Sequence, residues 1–373
     1  MKKFVAAFLF VIALCGVATA DIIYSTTDGK IGLISIQGTA SIDLEGVQYE
    51  TDFEKPVMGM YWDDETLRFI VIGQNGEESN DVAIRFNYSD LTKAVDQKPI
   101  TLQGVNNTLG IIGISNGRGV YIVYGPSIRE FETDDFEPKD RFYTYTTSDE
   151  EVNPNIKGTV VINNRIFVLV NDTLMRFDGQ LDRNVQGFAE WGVESGAEVL
   201  CDLSDSRLAI GHSTGVQVLD NGLKKLLDNI SQVDAMCPDQ SSGFYYVLQD
   251  ESGDKTLCHY TNATSNEILK FNSDIIDLAR DSENKILATI LEDKIQLYNM
   301  IDDDKLVAEF DTAALGGSPY KVMMRPTSIT SNSTSKKDNS GCNFSNAGIL
   351  LALSLCGIAI IIQLKLRRRK FNS

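Results

Sequence analysis

One short pattern of strands recurs along most of this chain, and it limits the fold more than any single motif does. An apolar strand, a polar turn, a β-rich strand, a tight polar turn and an alternating strand occupy 199–203, 207–211 and 215–220. The same order returns at 233–237, 243–248 and 255–260, and again at 275–279, 285–291 and 294–299. Alternation bounded by Gly, Asn, Asp and Ser is the mark of consecutive antiparallel hairpins. The third strands end at Phe86-Asn87, Phe131-Glu132, Phe177-Asp178, Leu219-Asp220, Tyr260-Thr261 and Tyr298-Asn299. Successive steps between them are 45, 46, 42, 41 and 38 residues.

A period of about 40–45 residues with four strands per unit predicts an all-β, seven-bladed β-propeller over residues 21–326. Fourth strands are expected at 100–102, 142–146, 268–271 and 306–310. The N-terminal unit, 21–46, has no first strand, and a lone strand at 320–324 follows the last complete unit. Laid beside the N-terminal unit, it completes the sheet and closes the ring, which removes the exposed edges of an open row. The competing architecture is a pair of tandem β-sandwiches, whose short strands have similar spacing.

Residues 22–36 (IIYSTTDGKIGLISI) resemble the middle hairpin of a WD40-like or quinoprotein-like propeller blade, and so do 207–220 (RLAIGHSTGVQVLD). Phe177-Asp178 and Leu219-Asp220 stand where a WD40 repeat carries Trp-Asp. Gly211-His212 ends a second strand instead of preceding a first. The resemblance implies the propeller superfamily and no particular functional family.

The two ends supply a topology. Met1-Lys2-Lys3, an apolar block and Ala18-Thr19-Ala20 make residues 1–20 a signal peptide. A bacterial lipoprotein reading fails because Leu14, before Cys15, is too large. Residues 347–364 are long and apolar enough for a transmembrane helix, and the basic tail 365–373 places the C-terminus in the cytosol. Residues 327–346, rich in Ser, Thr and Asn, read as a stalk. The chain is thus expected to be a type I membrane glycoprotein of the secretory pathway, at the plasma membrane or in the endoplasmic reticulum or Golgi. Seven sequons support this: Asn87, Asn106, Asn171, Asn229, Asn262, Asn332 and Asn343.

The net charge is −18, and removing the seven basic residues of the two ends leaves about −25 between them. That argues against nucleic acid or anionic lipid as a ligand. Protein or glycan partners are expected on the propeller faces, in a receptor, adhesion or scaffold role, or in cargo selection or folding. Cys201 and Cys237 hold the same place in consecutive units and are disulfide candidates, and Cys342 in the stalk could bridge protomers. With the small residues Gly348, Ala352 and Cys356 four apart, it points to a homodimer. Arg367, Arg368 and Arg369 fit a stop-transfer cluster and also resemble an arginine-based retrieval signal.

Catalysis finds little support, and the chain is expected not to be an enzyme. Only His212 and His259 are present, and both fall in or beside strands. The G-x-S-x-G at 113–117 lacks the helix that a nucleophile elbow needs, and it reads as a turn between strands two and three of a blade. A hydrolase with a carboxylate pair in the central channel is the lesser alternative. No acidic run has the spacing of a calcium loop, so no metal site and no cofactor are expected.

Overall fold

The computed structural model describes residues 19–37, 41–53, 56–57, 59–63, 68–75, 80–87, 90–100, 112–115, 120–124, 127–132, 137–144, 156–162, 165–170, 172–178, 190–203, 207–219, 223–228, 230–239, 243–250, 252–281, 285–300 and 305–325. They form seven four-stranded antiparallel sheets. Blade 1 holds β1 (Thr19–Thr26), β2 (Lys30–Gln37), β3 (Ser41–Glu50) and a strand from the far end of the chain. Blade 2 follows with β4 (Gly59–Asp63), β5 (Arg68–Asn75), β6 (Asn80–Asn87) and β7 (Asp90–Ile100). Blade 3 has β8 (Ile112–Ser115), β9 (Val120–Tyr124), β10 (Ser127–Phe131) and β11 (Pro138–Thr144). Blade 4 has β12 (Ile156–Ile162), β13 (Arg165–Val170), β14 (Thr173–Asp178) and β15 (Glu190–Gly192). Blade 5 has β16 (Val199–Asp202), β17 (Leu208–His212), β18 (Gly215–Leu219) and β19 (Leu223–Asp228). Blade 6 has β20 (Gln232–Pro238), β21 (Phe244–Gln249), β22 (Lys255–Thr261) and β23 (Thr264–Phe271). Blade 7 has β24 (Ile275–Asp281), β25 (Ile286–Leu291), β26 (Lys294–Asn299) and β27 (Lys305–Asp311). A one-turn helix, α1 (Thr312–Leu315), then leads to β28 (Pro319–Arg325).

β28 pairs with β1, matching Ile22 to Met324 and Tyr24 to Val322, and so supplies blade 1 with its innermost strand. The innermost strands touch in cyclic order, β28 to β4, β8, β12, β16, β20, β24 and back to β28. The sheets therefore close into a β-propeller. The tandem sandwich has no counterpart here.

The core lies between blades, not within them. Ile22 and Tyr24 of β1 pack with Ile286, Ala288 and Ile290 of blade 7, whereas Ile23 packs with Phe69, Val71 and Phe86 of blade 2. Alternate residues of one strand thus serve opposite neighbours. A second strand is covered on both faces, so its sequence is apolar throughout: β25, Ile-Leu-Ala-Thr-Ile-Leu, is buried at every position. Tyr24 also spans the closure. Its hydroxyl donates to the Leu315 carbonyl at 3.1 Å, and burial pushes its pKa up to about 12. Gly32 sits against that ring, where a Cβ would lie 2.0 Å from Cζ.

Several expectations shift. β7 covers Asp90–Ile100 rather than 100–102, because an outermost strand faces solvent and its polar sequence hides it. Ser115 pairs with Val120, so the turn after it joins the first and second strands of blade 3. β1 begins at Thr19, two residues before the expected mature terminus. Residues 1–18, the stalk, the expected span 347–364 and the tail lie outside the described residues. Among the described residues no helix is long and apolar enough to cross a membrane.

Candidate functional site

Each innermost strand has two ends, and chemistry gathers at both. Where these strands begin, four of them carry a β-bulge at one equivalent position. In β12, Ile156 faces Val170 and Gly158 faces Leu169, so Lys157 is the extra residue. The extra residue is Asp234 in β20, Ile276 in β24 and Tyr320 in β28. A bulge frees one side chain from the ladder's alternation and re-aims it. The connections between second and third strands open at this same end, since consecutive antiparallel strands reverse direction.

The charged members of this ring are tied down. Lys157 Nζ reaches Glu198 Oε1 of the next blade at 3.0 Å and also donates to the Ala197 carbonyl. Asp234 is paired with Lys255 of its own blade. Asp277, beside Ile276, accepts from the Leu278 amide at 2.9 Å and from the Val322 amide of blade 1 at 3.0 Å. Burial holds its carboxyl above the usual range despite those donors and the nearby Lys321. Of the other two members, one is exposed and one, Tyr320, is half-buried. Ile276 is 39 % exposed, and Lys321 Nζ lies 5.6 Å from the centre of the Tyr320 ring.

The opposite end of β20 and β24 is sealed. Asp239, just past β20, bridges His259 Nε2 at 2.7 Å and Arg280 Nη1 of the next blade. The His259 ring stacks on Tyr245 at 4.3 Å, and the Arg280 guanidinium lies 5.3 Å from the centre of the same ring. Burial alone would raise the Asp239 pKa, but the His259 hydrogen bond and the Arg280 charge outweigh it and hold the carboxyl below its ordinary range. Arg280 and Asp239 side chains are each 8 % exposed, so the group mainly clamps blade 6 to blade 7. His259 Nε2 is engaged by Asp239, so the imidazole is held in place from one side of its ring.

Other sequence candidates separate. Asn87 and Asn262 are exposed, each at a turn from a third to a fourth strand. Asn106, Asn171, Asn229, Asn332 and Asn343 lie outside the described residues, as do Cys342 and Arg367, Arg368 and Arg369. Cys201 and Cys237 are buried free thiols and not a disulfide. Cys201 packs with the blade 5–6 core and Cys237 with the blade 6–7 core. Burial raises both, Cys237 to about 12, so neither is a ready nucleophile. His212 is fully buried at the β17–β18 turn, with Nδ1 3.7 Å from Glu194 Oε2. Burial lowers its pKa. The bulges and the Asp239 bridge had no counterpart in the sequence reading. The spacing of 41 residues between Asp239 and Arg280, one repeat length, was the available signal.

No family model matches the sequence, and no curated protein matches it. Solved structures share the fold. A candidate 6-phosphogluconolactonase from Bacteroides uniformis ATCC 8492 aligns with a TM-score of 0.63 at 13% identity, covering 82% of this chain and 99% of its own. A quinoprotein alcohol dehydrogenase-like protein from Bacteroides thetaiotaomicron VPI-5482 aligns with a TM-score of 0.58 at 10% identity, covering 81% of this chain and 77% of its own. At such identities the likeness is one of fold. The chain has the fold of the β-propeller superfamily, as its resemblance to quinoprotein-like repeats implied. The expectation that it is not an enzyme is corrected: the propellers it aligns with bear enzyme names, so its architecture does not set it apart from enzymes.

Proposed function

We propose that the chain is a glycosylated β-propeller, tethered by one C-terminal helix to a membrane of the secretory pathway, that binds a protein or glycan partner through its loops. The observation that carries this reading is the closed ring, a rigid frame built by inter-blade cores, with exposed turns at both of its ends. The signal-like residues 1–20, the apolar stretch 347–364 and the exposed sequon residues Asn87 and Asn262 support the extracytosolic side. The tail arginines Arg367, Arg368 and Arg369 favour a second reading of the compartment, residence in the endoplasmic reticulum or Golgi.

Labelling of intact cells with a membrane-impermeant biotin reagent, followed by peptide-N-glycosidase digestion, tests both. Labelling with a mass shift on digestion is expected for a cell-surface receptor. Labelling only after permeabilisation, with release to the surface by a paired Arg367→Ala and Arg369→Ala change, would select the resident. A chain that shows no mass shift and stays in the cytosol would sink the proposal.

A further inference from the structure

We propose that the end at which the innermost strands begin is a docking surface for a cationic protein segment with an apolar anchor. This rests on the partner-binding reading above and names the surface and the partner's chemistry.

Three large apolar residues are well exposed among the described residues: Val95, Ile276 and Leu306. Val95 and Leu306 lie on outermost strands, but Ile276 lies on an innermost one. Its bulge turns it outward at a position where Lys157 and Asp234 stand in other blades, and Tyr320 occupies that position in the adjacent blade. Apolar side chains held out of water-excluding cores by a backbone irregularity offer favourable burial to whatever covers them.

The surroundings decide the sign of that partner. Asp28, Asp172, Asp250, Asp274, Glu292 and Asp293 are exposed in the connections that open at this end. The lysines there face acids: Lys30 meets Asp28 at 2.8 Å, Lys157 meets Glu198 at 3.0 Å, Lys225 meets Glu194 at 2.9 Å, Lys255 lies between Asp234 and Asp274, and Lys321, over the Tyr320 ring, lies near Asp277. Lys294 meets Glu309 at 3.5 Å. The acids named at this end outnumber the lysines, with Glu292 and Asp293 in the same blade as Ile276, so the end attracts a cationic segment and repels a second copy of itself, an acidic membrane or a nucleic acid.

The test uses the full chain in detergent micelles and three dodecapeptide probes: lysine alternating with leucine, lysine alternating with serine, and glutamate alternating with leucine. Fluorescence anisotropy at near-physiological salt reads their binding. The lysine–leucine peptide is expected to bind about tenfold more tightly than the lysine–serine one. Ile276→Ser should weaken it by about tenfold, and Asp274→Lys with Glu292→Lys by at least as much, because both attraction and steering are lost. Asp43→Lys, an exposed change on an outermost strand, should leave it unaltered and controls for charge alone. Equal binding of both lysine peptides, indifference to Ile276→Ser, or preference for the glutamate peptide would each overturn the proposal. Those results would leave the tethered-propeller reading standing, since cell labelling tests it separately.

Discussion

Four residues apart on β24, Ile276 and Arg280 invert the usual assignment of side chains. The apolar residue is 39 % exposed, whereas the side chain of the charged one is only 8 % exposed. Composition explains neither, because what differs is the local device. A bulge removes Ile276 from the alternation that would bury it, whereas Asp239 and the Tyr245 ring draw Arg280 inward. On β24 one end thus presents an apolar side chain to solvent and the other is sealed against blade 6. The lesson is that a strand's burial pattern follows its register and its cross-blade partners before its hydrophobicity.

The sharpest way to break this contrast is at the sealed end. Arg280→Ala removes the cross-blade cation from buried Asp239, and chemical denaturation should show a loss of about 3–5 kcal/mol. Arg280→Met paired with Asp239→Leu should cost far less, since an apolar pair leaves no charge stranded. Equal losses from the two variants would mean that packing, not charge compensation, holds the end shut. Acid adds a second handle. Asp239 is depressed when folded, so its contribution is present above the ordinary carboxylate pKa of about 3.9 and is lost as pH falls through the folded value.

At the open end the expected effects are smaller and the pH slope reverses. Asp277→Ala strands the Val322 and Leu278 amides and should destabilise by about 2 kcal/mol. The Asp277 carboxyl is raised when folded, so its contribution is intact below the unfolded pKa and declines as pH rises through the folded one. Asp277→Asn should flatten that decline, and an unchanged slope between pH 4 and 7 would rule out Asp277 as its source. Lys157→Ala breaks a pair whose Glu198 side is 42 % exposed, so about 1 kcal/mol or less is expected in thermal melts.

Much of the frame was legible in the sequence, for a physical reason. Second strands covered on both faces announce themselves, as Phe69 to Ile72 and Phe244 to Val247 do, and third strands end on an aromatic or leucine that packs between blades. The ring-closing strand was legible because blade 1 lacked a first strand. Outermost strands were poorly legible, since solvent imposes no pattern on β7. The bulges left no residue signature: Lys157, Asp234, Ile276 and Tyr320 share a position and no chemistry. Asp239 follows β20, His259 lies on β22 and Arg280 on β24 of the next blade, and only the fold brings them together.

The smallest effect lies at the rim of the sealed end, where backbone rather than side chains carries the strain. Thr261 pairs with Thr264, leaving Asn262 and Ala263 as a two-residue turn with φ of 51° and 61°. Such a turn needs two left-handed residues; asparagine tolerates this, and alanine does so at a cost. Ala263→Gly removes the Cβ penalty but adds freedom to the unfolded chain, so a net gain of about 0.5–1 kcal/mol is expected. The sequon at Asn262 keeps its threonine, so glycan occupancy read by mass spectrometry should not change. If this exposed substitution raised stability by more than Arg280→Ala lowered it, strain at the rim and not the buried bridge would govern that end of the ring. A gain well below that loss would leave the contrast between Ile276 and Arg280 resting where the geometry puts it, on what each side chain is buried against.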